Sequence, residues 1–164
     1  MKQKFKDYYK DIVLKTAELS RAQRLKVGAI AVKDNRIIST GYNGTPTGWD
    51  NNCESKIYWD PAFEDLHSDE LDSTYPYEDK NGRYRLETKP EVLHAEHNLI
   101  AKLARSVESS EGADVFCTVG ACLECAKLIH SAGIKSFYYI NDYRTDDGIR
   151  FLKKCGITVE KLGE

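Results

Sequence analysis

The sequence predicts a layered α/β fold, and two patterns carry that prediction. From residue 92 onward, segments of strand character alternate with segments of helical period, as expected for a sheet covered by helices. Nearer the start, two short apolar runs flank Asp34-Asn35, the mark of a β-hairpin. With 164 residues, 41% hydrophobic and 30% charged, the chain can build one domain with its own core and is too short for two of ordinary size. One domain over 1–164 is therefore expected, carrying an insertion at about 49–90.

Each element has its own warrant. Phe5, Tyr8, Tyr9, Ile12, Val13, Thr16 and Leu19 recur at helical spacing, so residues 4–20 read as an amphipathic helix. Residues 27–33 and 36–40 are the hairpin strands. The stretch 41–48, dense in glycine, asparagine and proline, reads as a loop. Residues 49–90 are acidic and studded with Trp49, Tyr58, Trp59, Phe63, Tyr75, Tyr77 and Tyr84, without a clean period. A connection of that length inside a compact domain is uncommon, and its aromatic content favours packed structure over disorder. Beyond it, helices are expected at 94–107, 122–132 and 146–155, and strands at 113–119, 135–140 and 157–162.

Two short motifs carry chemistry. His94-Ala95-Glu96 opens one helix after Pro90, and Cys122-Leu123-Glu124-Cys125 opens another. Cysteines at i and i+3 share a helix face, and a helix N-terminus favours thiolates. One imidazole and two thiolates can hold Zn²⁺ and leave its fourth position for water, the pattern of a catalytic rather than a structural zinc. Glu96, two residues past His94, points away from the metal and is free to carry protons. This arrangement points to hydrolytic deamination of a nucleobase by zinc-activated water. The bland alternatives for C-x-x-C alone are a redox pair or a structural half-site.

Composition narrows the field. The net charge of −2 does not suggest a protein that tracks RNA or DNA. No apolar run is long enough to span a membrane and no signal peptide is evident, so no membrane partner and a cytoplasmic location are expected. Five cysteines, an odd number, argue against a disulfide framework.

The motifs extend over most of the chain as Val27-Gly28-Ala29, Gly41-Tyr42-Asn43-Gly44 with Pro46 and Gly48, His94-Ala95-Glu96 with Asn98, the CLECAKLI run at 122–129, and Ala132-Gly133-Ile134-Lys135. In these the chain resembles the cytidine deaminase-like superfamily, and within it the deoxycytidylate (dCMP) deaminases. The resemblance implies a three-layer α/β/α fold with a mixed five-stranded sheet and conversion of dCMP to dUMP and ammonia, feeding thymidylate synthesis. It also implies that Asn43 bonds the sugar 3′-hydroxyl, that the Ala95 backbone reads the base edge, and that Tyr143 or Tyr138 helps fix the 5′-phosphate. A basic residue before the first strand, Arg21 or Arg24, would share that task.

The same resemblance implies a homo-oligomer, with a hexamer favoured, activated by dCTP and inhibited by dTTP, each with Mg²⁺. Asn43, Gly44, Thr45, Gly48, Asp50 and Glu54 are the candidate effector contacts, with backbone N–H groups of 43–48 offered to phosphate. If the chain is viral, it would work in the host cytoplasm. One departure stands out: Ala121 occupies the place before the first cysteine where the family usually has proline, so a looser turn is expected. Cys53 and His67 are too few for a second zinc, and one zinc per chain is expected. Deamination of cytidine, guanine or tRNA adenosine, and a non-catalytic zinc or nucleotide-binding module, remain as alternatives.

Overall fold

The computed structural model describes residues 1–62 and 66–163, so Phe63 lies outside the described residues. In chain order, α1 (Gln3–Ala17) leads into β1 (Gly28–Lys33) and β2 (Arg36–Tyr42). The insertion supplies β3 (Glu54–Tyr58), α2 (Ser68–Thr74), β4 (Tyr77–Asp79) and β5 (Gly82–Thr88). The remainder alternates as α3 (Ala95–Ala104), β6 (Asp114–Val119), α4 (Leu123–Ser131), β7 (Ser136–Asn141), α5 (Asp147–Lys154) and β8 (Thr158–Lys161).

The central sheet is mixed and five-stranded, in the order β2-β1-β6-β7-β8. β1 runs antiparallel to both β2 and β6, whereas β6, β7 and β8 run parallel. The hairpin turn is made by Asp34 and Asn35, both at positive φ (50° and 58°). That is the backbone a two-residue turn needs to match strand twist, and Asp and Asn tolerate it best after glycine.

Side-chain alternation divides the strands between two cores. Ile30, Val32, Phe116 and Tyr138 pack under Tyr9 and Val13 of α1 on one face. Ala29, Ala31, Val115, Cys117, Phe137 and Tyr139 face the opposite way, against Leu99 and Ile100 of α3, Ile129 of α4 and Leu152 of α5. Both faces of β6 are buried, so it reads as a continuous apolar run rather than an alternating one. Helix, sheet and helix thus form the three layers that the resemblance implied.

The insertion, where no period was legible, builds a second sheet in the order β3-β5-β4. Tyr58 and Tyr77 both pair across to Tyr84, and their rings pack with it at 5.6 and 5.5 Å between centroids. Lys56 lies over the Tyr84 ring. These strands are short, and all but one of their residues are exposed or only partly buried, so alternation left little trace in the sequence. Among the described residues no helix is long and apolar enough to cross a membrane.

Two glycines set how closely the layers approach. A Cβ on Gly28 would stand 2.5 Å from the Ala17 nitrogen and 2.6 Å from the Val13 oxygen, where α1 crosses β1. A Cβ on Gly41 would stand 2.1 Å from the Ala95 oxygen and 2.6 Å from the Leu99 nitrogen, where α3 begins. These obstacles are backbone atoms, so a methyl group cannot be relieved by a rotamer change. Gly28→Ala should cost about 1–3 kcal/mol, seen as a fall in Tm of several degrees in a thermal melt. An unchanged Tm would show that α1 is not held to β1 at this contact.

Candidate active site

Three side chains converge where α3 and α4 begin. His94 and Cys122 are the N-cap residues of the two helices, each with extended backbone (ψ 157° and 166°). Cys125 lies one turn into α4 and donates its backbone N–H to the Cys122 sulfur at 3.5 Å. Nδ1 of His94 is 3.5 Å from Sγ of Cys122 and 3.4 Å from Sγ of Cys125. All three donor atoms lie within 4.8 Å of one another, the one such group among the described residues.

Those separations fit a single tetrahedral metal. Bonds of about 2.3 Å to sulfur and 2.0–2.1 Å to nitrogen put N and S roughly 3.6 Å apart at the tetrahedral angle. Two thiolates and an imidazole are the donor set that suits Zn²⁺. The protons are already partly arranged for it. Cys122 is drawn down to about 3, chiefly by the hydrogen bond from the Cys125 thiol and then by His94. Cys125 is pushed up by that neighbouring sulfur and by burial. A bound metal would displace the proton that the pair retains.

The cluster opens into a cavity of about 710 Å³. Its walls come from the residue before β1 (Val27), the end of β6 and the residue after it (Val119, Gly120), the segment after β7 (Asp142, Tyr143, Arg144) and the base of the insertion (Glu54, Thr88, Lys89). In α/β sheets, ligands collect at such strand ends. Glu96 faces the same cavity but stands outside the three-donor group, and it is only 4% exposed. Burial pushes its carboxyl up to about 7, against the pull of its own backbone N–H and of His94. Fully buried Cys117 on β6 is raised by desolvation first and by Glu96 next. A carboxyl that exchanges protons near neutral pH is suited to general acid–base work.

Other expected site residues fall in different places. Asn43, Ala95, Tyr143 and Arg24 line the cavity with the triad and Glu96. Arg21 does not line it, and its side chain is exposed. Tyr138 is corrected outright: it is buried under α1, its ring 4.6 Å from Phe116, on the far face of the sheet. One-residue alternation explains this, because Tyr139 takes the other face and only the segment after β7 reaches the cavity. Arg144 and Lys89 were missed. Their signal was position, since each adjoins a residue singled out from the sequence, Tyr143 and Pro90.

The 41–48 segment also differs from expectation. Gly41 and Tyr42 belong to β2. Asn43 donates its N–H to Val27 and Gly44 donates to Leu93, so neither backbone group is open to a phosphate. The Asn43 amide clamps the chain ahead of β1, accepting from the Val27 N–H at 2.8 Å and donating to the Leu25 carbonyl at 2.9 Å. Gly44, Thr45, Gly48 and Asp50 do not line the cavity. Glu54 does, buried and accepting from the Gln23 and Arg24 N–H groups, so it stands with the active-site residues and apart from the outer loop. Cys53 packs with Ala22 and Val92.

Ala121 leaves no slack. It is fully buried, and the N–H of preceding Gly120 bonds the Asn141 carbonyl at 2.8 Å. A Cβ on Gly148 of α5 would meet the Ala121 oxygen at 2.0 Å. The turn is thus held by packing from α5, where the expectation was a looser one.

Comparisons with known proteins agree with this geometry. The family described as "Cytidine and deoxycytidylate deaminase zinc-binding region" matches residues 3–141. The deoxycytidylate deaminase of Enterobacteria phage T4 is 36% identical over 132 residues, covering 72% of this chain and 68% of the phage protein. That of Saccharomyces cerevisiae is 28% identical over 99% of this chain, which spans 46% of the yeast protein. The crystal structure of dCMP deaminase from cyanophage S-TIM5 in complex with dCMP and dUMP superposes with a TM-score of 0.77 at 37% identity, covering 99% of both chains.

The Gly148 contact yields a test. Gly148→Ala should displace the Ala121-Cys122 turn and weaken Zn²⁺ binding about tenfold or more in a chelator competition, while the protein still folds. Undiminished affinity would show that α5 does not hold the cysteine turn.

Proposed function

The chain belongs to the cytidine and deoxycytidylate deaminase family, and on that premise we propose that it converts dCMP and water to dUMP and ammonia. The observation that carries this is the His94, Cys122 and Cys125 cluster sharing one cavity with buried Glu96 and with Arg24, Lys89 and Arg144. A Zn²⁺ held by the three donors would supply Lewis-acid activation of water. Ala95, at the floor beside Glu96, offers its backbone to the base edge.

Glu96 carries the protons. Its carboxylate takes one from the attacking water and delivers it to ring N3 as the C4–O bond forms. A second passes to the exocyclic amine as the C4–N bond breaks, so ammonia leaves and a C4 carbonyl remains. The half-buried Tyr143 ring and the cations Arg24, Lys89 and Arg144 suit the 5′-phosphate. That cationic wall favours a nucleotide over a free nucleoside or free base. The low net charge supports a small substrate over tRNA.

Activation by dCTP with Mg²⁺ and inhibition by dTTP fit a chain whose β3, β4 and β5 form a second sheet with its base at the cavity. The outer loop at Thr45, Gly48 and Asp50 is the proposed contact, in a homo-oligomer and most simply a hexamer. The protein would work in the cytoplasm, of a host if it is viral, and its product would enter thymidylate synthesis.

Purified Zn²⁺-loaded protein should release ammonia from dCMP, with kcat/KM at least about a hundredfold above that for deoxycytidine. Equal activity on the two would discard the nucleotide reading, and no dUMP under any effector condition would discard the function. Glu96→Gln should retain metal and lower kcat by about 10²–10⁴; retained turnover would remove Glu96 from its role. Initial rates should rise with dCTP and Mg²⁺ and fall with dTTP, and flat rates would refute the regulatory reading.

A further inference from the structure

Residues 20–26 lie between α1 and β1 and belong to no helix or strand, yet they carry Arg24 to the cavity. A backbone without ladder partners must find its acceptors elsewhere. Here a side chain supplies them. Oε1 of Glu54, the first residue of β3, accepts from the Gln23 N–H at 2.9 Å and from the Arg24 N–H at 3.1 Å. One oxygen that holds two successive N–H groups fixes the peptide plane between them. The direction in which the Arg24 side chain leaves the backbone is fixed with it.

The Arg24 side chain is tied back to the same pair of strands. Its Nη1 donates to Oγ1 of Thr88 at 3.2 Å, and Thr88 stands opposite Glu54 in the β3–β5 register. Glu54 thus holds the backbone of Arg24, and Thr88 holds its guanidinium. Thr88 is the guanidinium's one hydrogen-bond partner among the described residues, so most of its N–H donors stay open to a ligand. Glu54 itself is only 4% exposed, and its Oε2 has no partner among the described residues. A buried carboxylate with an unused oxygen is unfavourable. Both hydrogen bonds that Glu54 does make go to the peptide that presents Arg24.

We propose that Glu54 is a positioning residue: it touches no reacting atom and acts through Arg24, whose guanidinium it aims into the cavity. The inference rests on the function proposed above, in which Arg24 is one of the cations that suit the 5′-phosphate. A misaimed cation holds the same group less tightly, because the binding geometry is no longer prearranged. Loss of Glu54 therefore acts on KM for a phosphorylated substrate and leaves the chemistry at the His94, Cys122 and Cys125 cluster alone.

The test is a double-mutant cycle on Zn²⁺-loaded protein, with Glu54→Leu, Arg24→Ala and the two combined, assayed on dCMP and on deoxycytidine. Arg24→Ala should raise KM for dCMP about 10–100-fold, the range expected of a hydrogen bond to a charged group. Glu54→Leu should raise it by a similar factor, change kcat by less than about threefold, and add little once Arg24 is replaced. On deoxycytidine, which has no phosphate for Arg24 to hold, its kcat/KM should move by less than about threefold. Glu54→Gln keeps an oxygen for both N–H groups and should recover most of the lost affinity. Losses that add fully in the double variant, or that are equal on the two substrates, would overturn the proposal and leave Glu54 a purely structural residue. If Glu54→Leu fails to fold, the other variants decide. An Arg24→Ala KM equal to that of wild type overturns the proposal, and so does a Glu54→Gln loss as large as that of Arg24→Ala. Wild type inactive on dCMP would remove the function itself, and this proposal with it.

Discussion

The N-termini of α3 and α4 have to meet at one point, and much of the surrounding structure follows from that requirement. Each helix start brings orphan N–H groups and the positive end of a dipole. Bringing two together is unfavourable until negative groups stand between them. The Cys122 thiolate is the chief such group, with the Cys125 sulfur, the Glu96 carboxyl and an imidazole sharing the space. The site is therefore an electrostatic closure of the fold as well as a set of chemical tools. The packing is built to the same end. Gly41 lets β2 approach the first turn of α3, and Asn98 donates to the Tyr42 carbonyl at 2.9 Å to fix that approach. Gly44 and Leu93 exchange two backbone hydrogen bonds immediately before His94. On the other side, Gly148 brings α5 against Ala121 and Cys122.

This explains why the first part of a glycine-rich loop that looks designed for phosphate, Asn43 and Gly44, is structural. The Asn43 and Gly44 backbones are hydrogen-bonded to Val27 and Leu93, so the loop ties the strand ahead of the hairpin to the residues ahead of the histidine. Ser20 joins the same knot by donating to the Asn43 carbonyl at 2.8 Å. Substrate-facing capacity is left mainly to side chains, and these come from segments far apart in the chain.

The sequence made legible whatever depends on period or on local spacing. The helices and central strands are found within a few residues of their expected limits, because each has one face in a deep core. The metal donors were legible because His94 and Cys122 cap helices and Cys125 is one turn on. Tyr138 was misplaced and the burial of Glu54 went unseen, for different physical reasons. Tyr138 lies in a strand buried on both faces, where apolarity alone does not say which face a ring takes. Glu54 lies in an acidic stretch where most carboxylates are exposed, and only tertiary packing distinguishes the one that is buried. Arg144 and Lys89 are ordinary surface charges in one dimension and become a wall only after folding.

The insertion joins these two kinds of information. Its base is pinned: Lys89 donates its N–H to the Cys53 carbonyl at 3.0 Å, and Glu54 pairs with Thr88 across β3 and β5. The base therefore carries Glu54, Thr88 and Lys89 into the cavity as one unit. Farther out, the strands are held by the Tyr58, Tyr77 and Tyr84 cluster with Lys56, which touches none of the chemistry. A rigid base with an independently packed outer part has a mechanical consequence. Among the described residues the β3–β5 pair joins the outer sheet to the cavity wall, so a change carried along that pair arrives at Glu54 and Lys89 together. Glu54 and Lys89 would then move in concert, so such coupling would act on the cavity wall before it acted on the His94, Cys122 and Cys125 cluster.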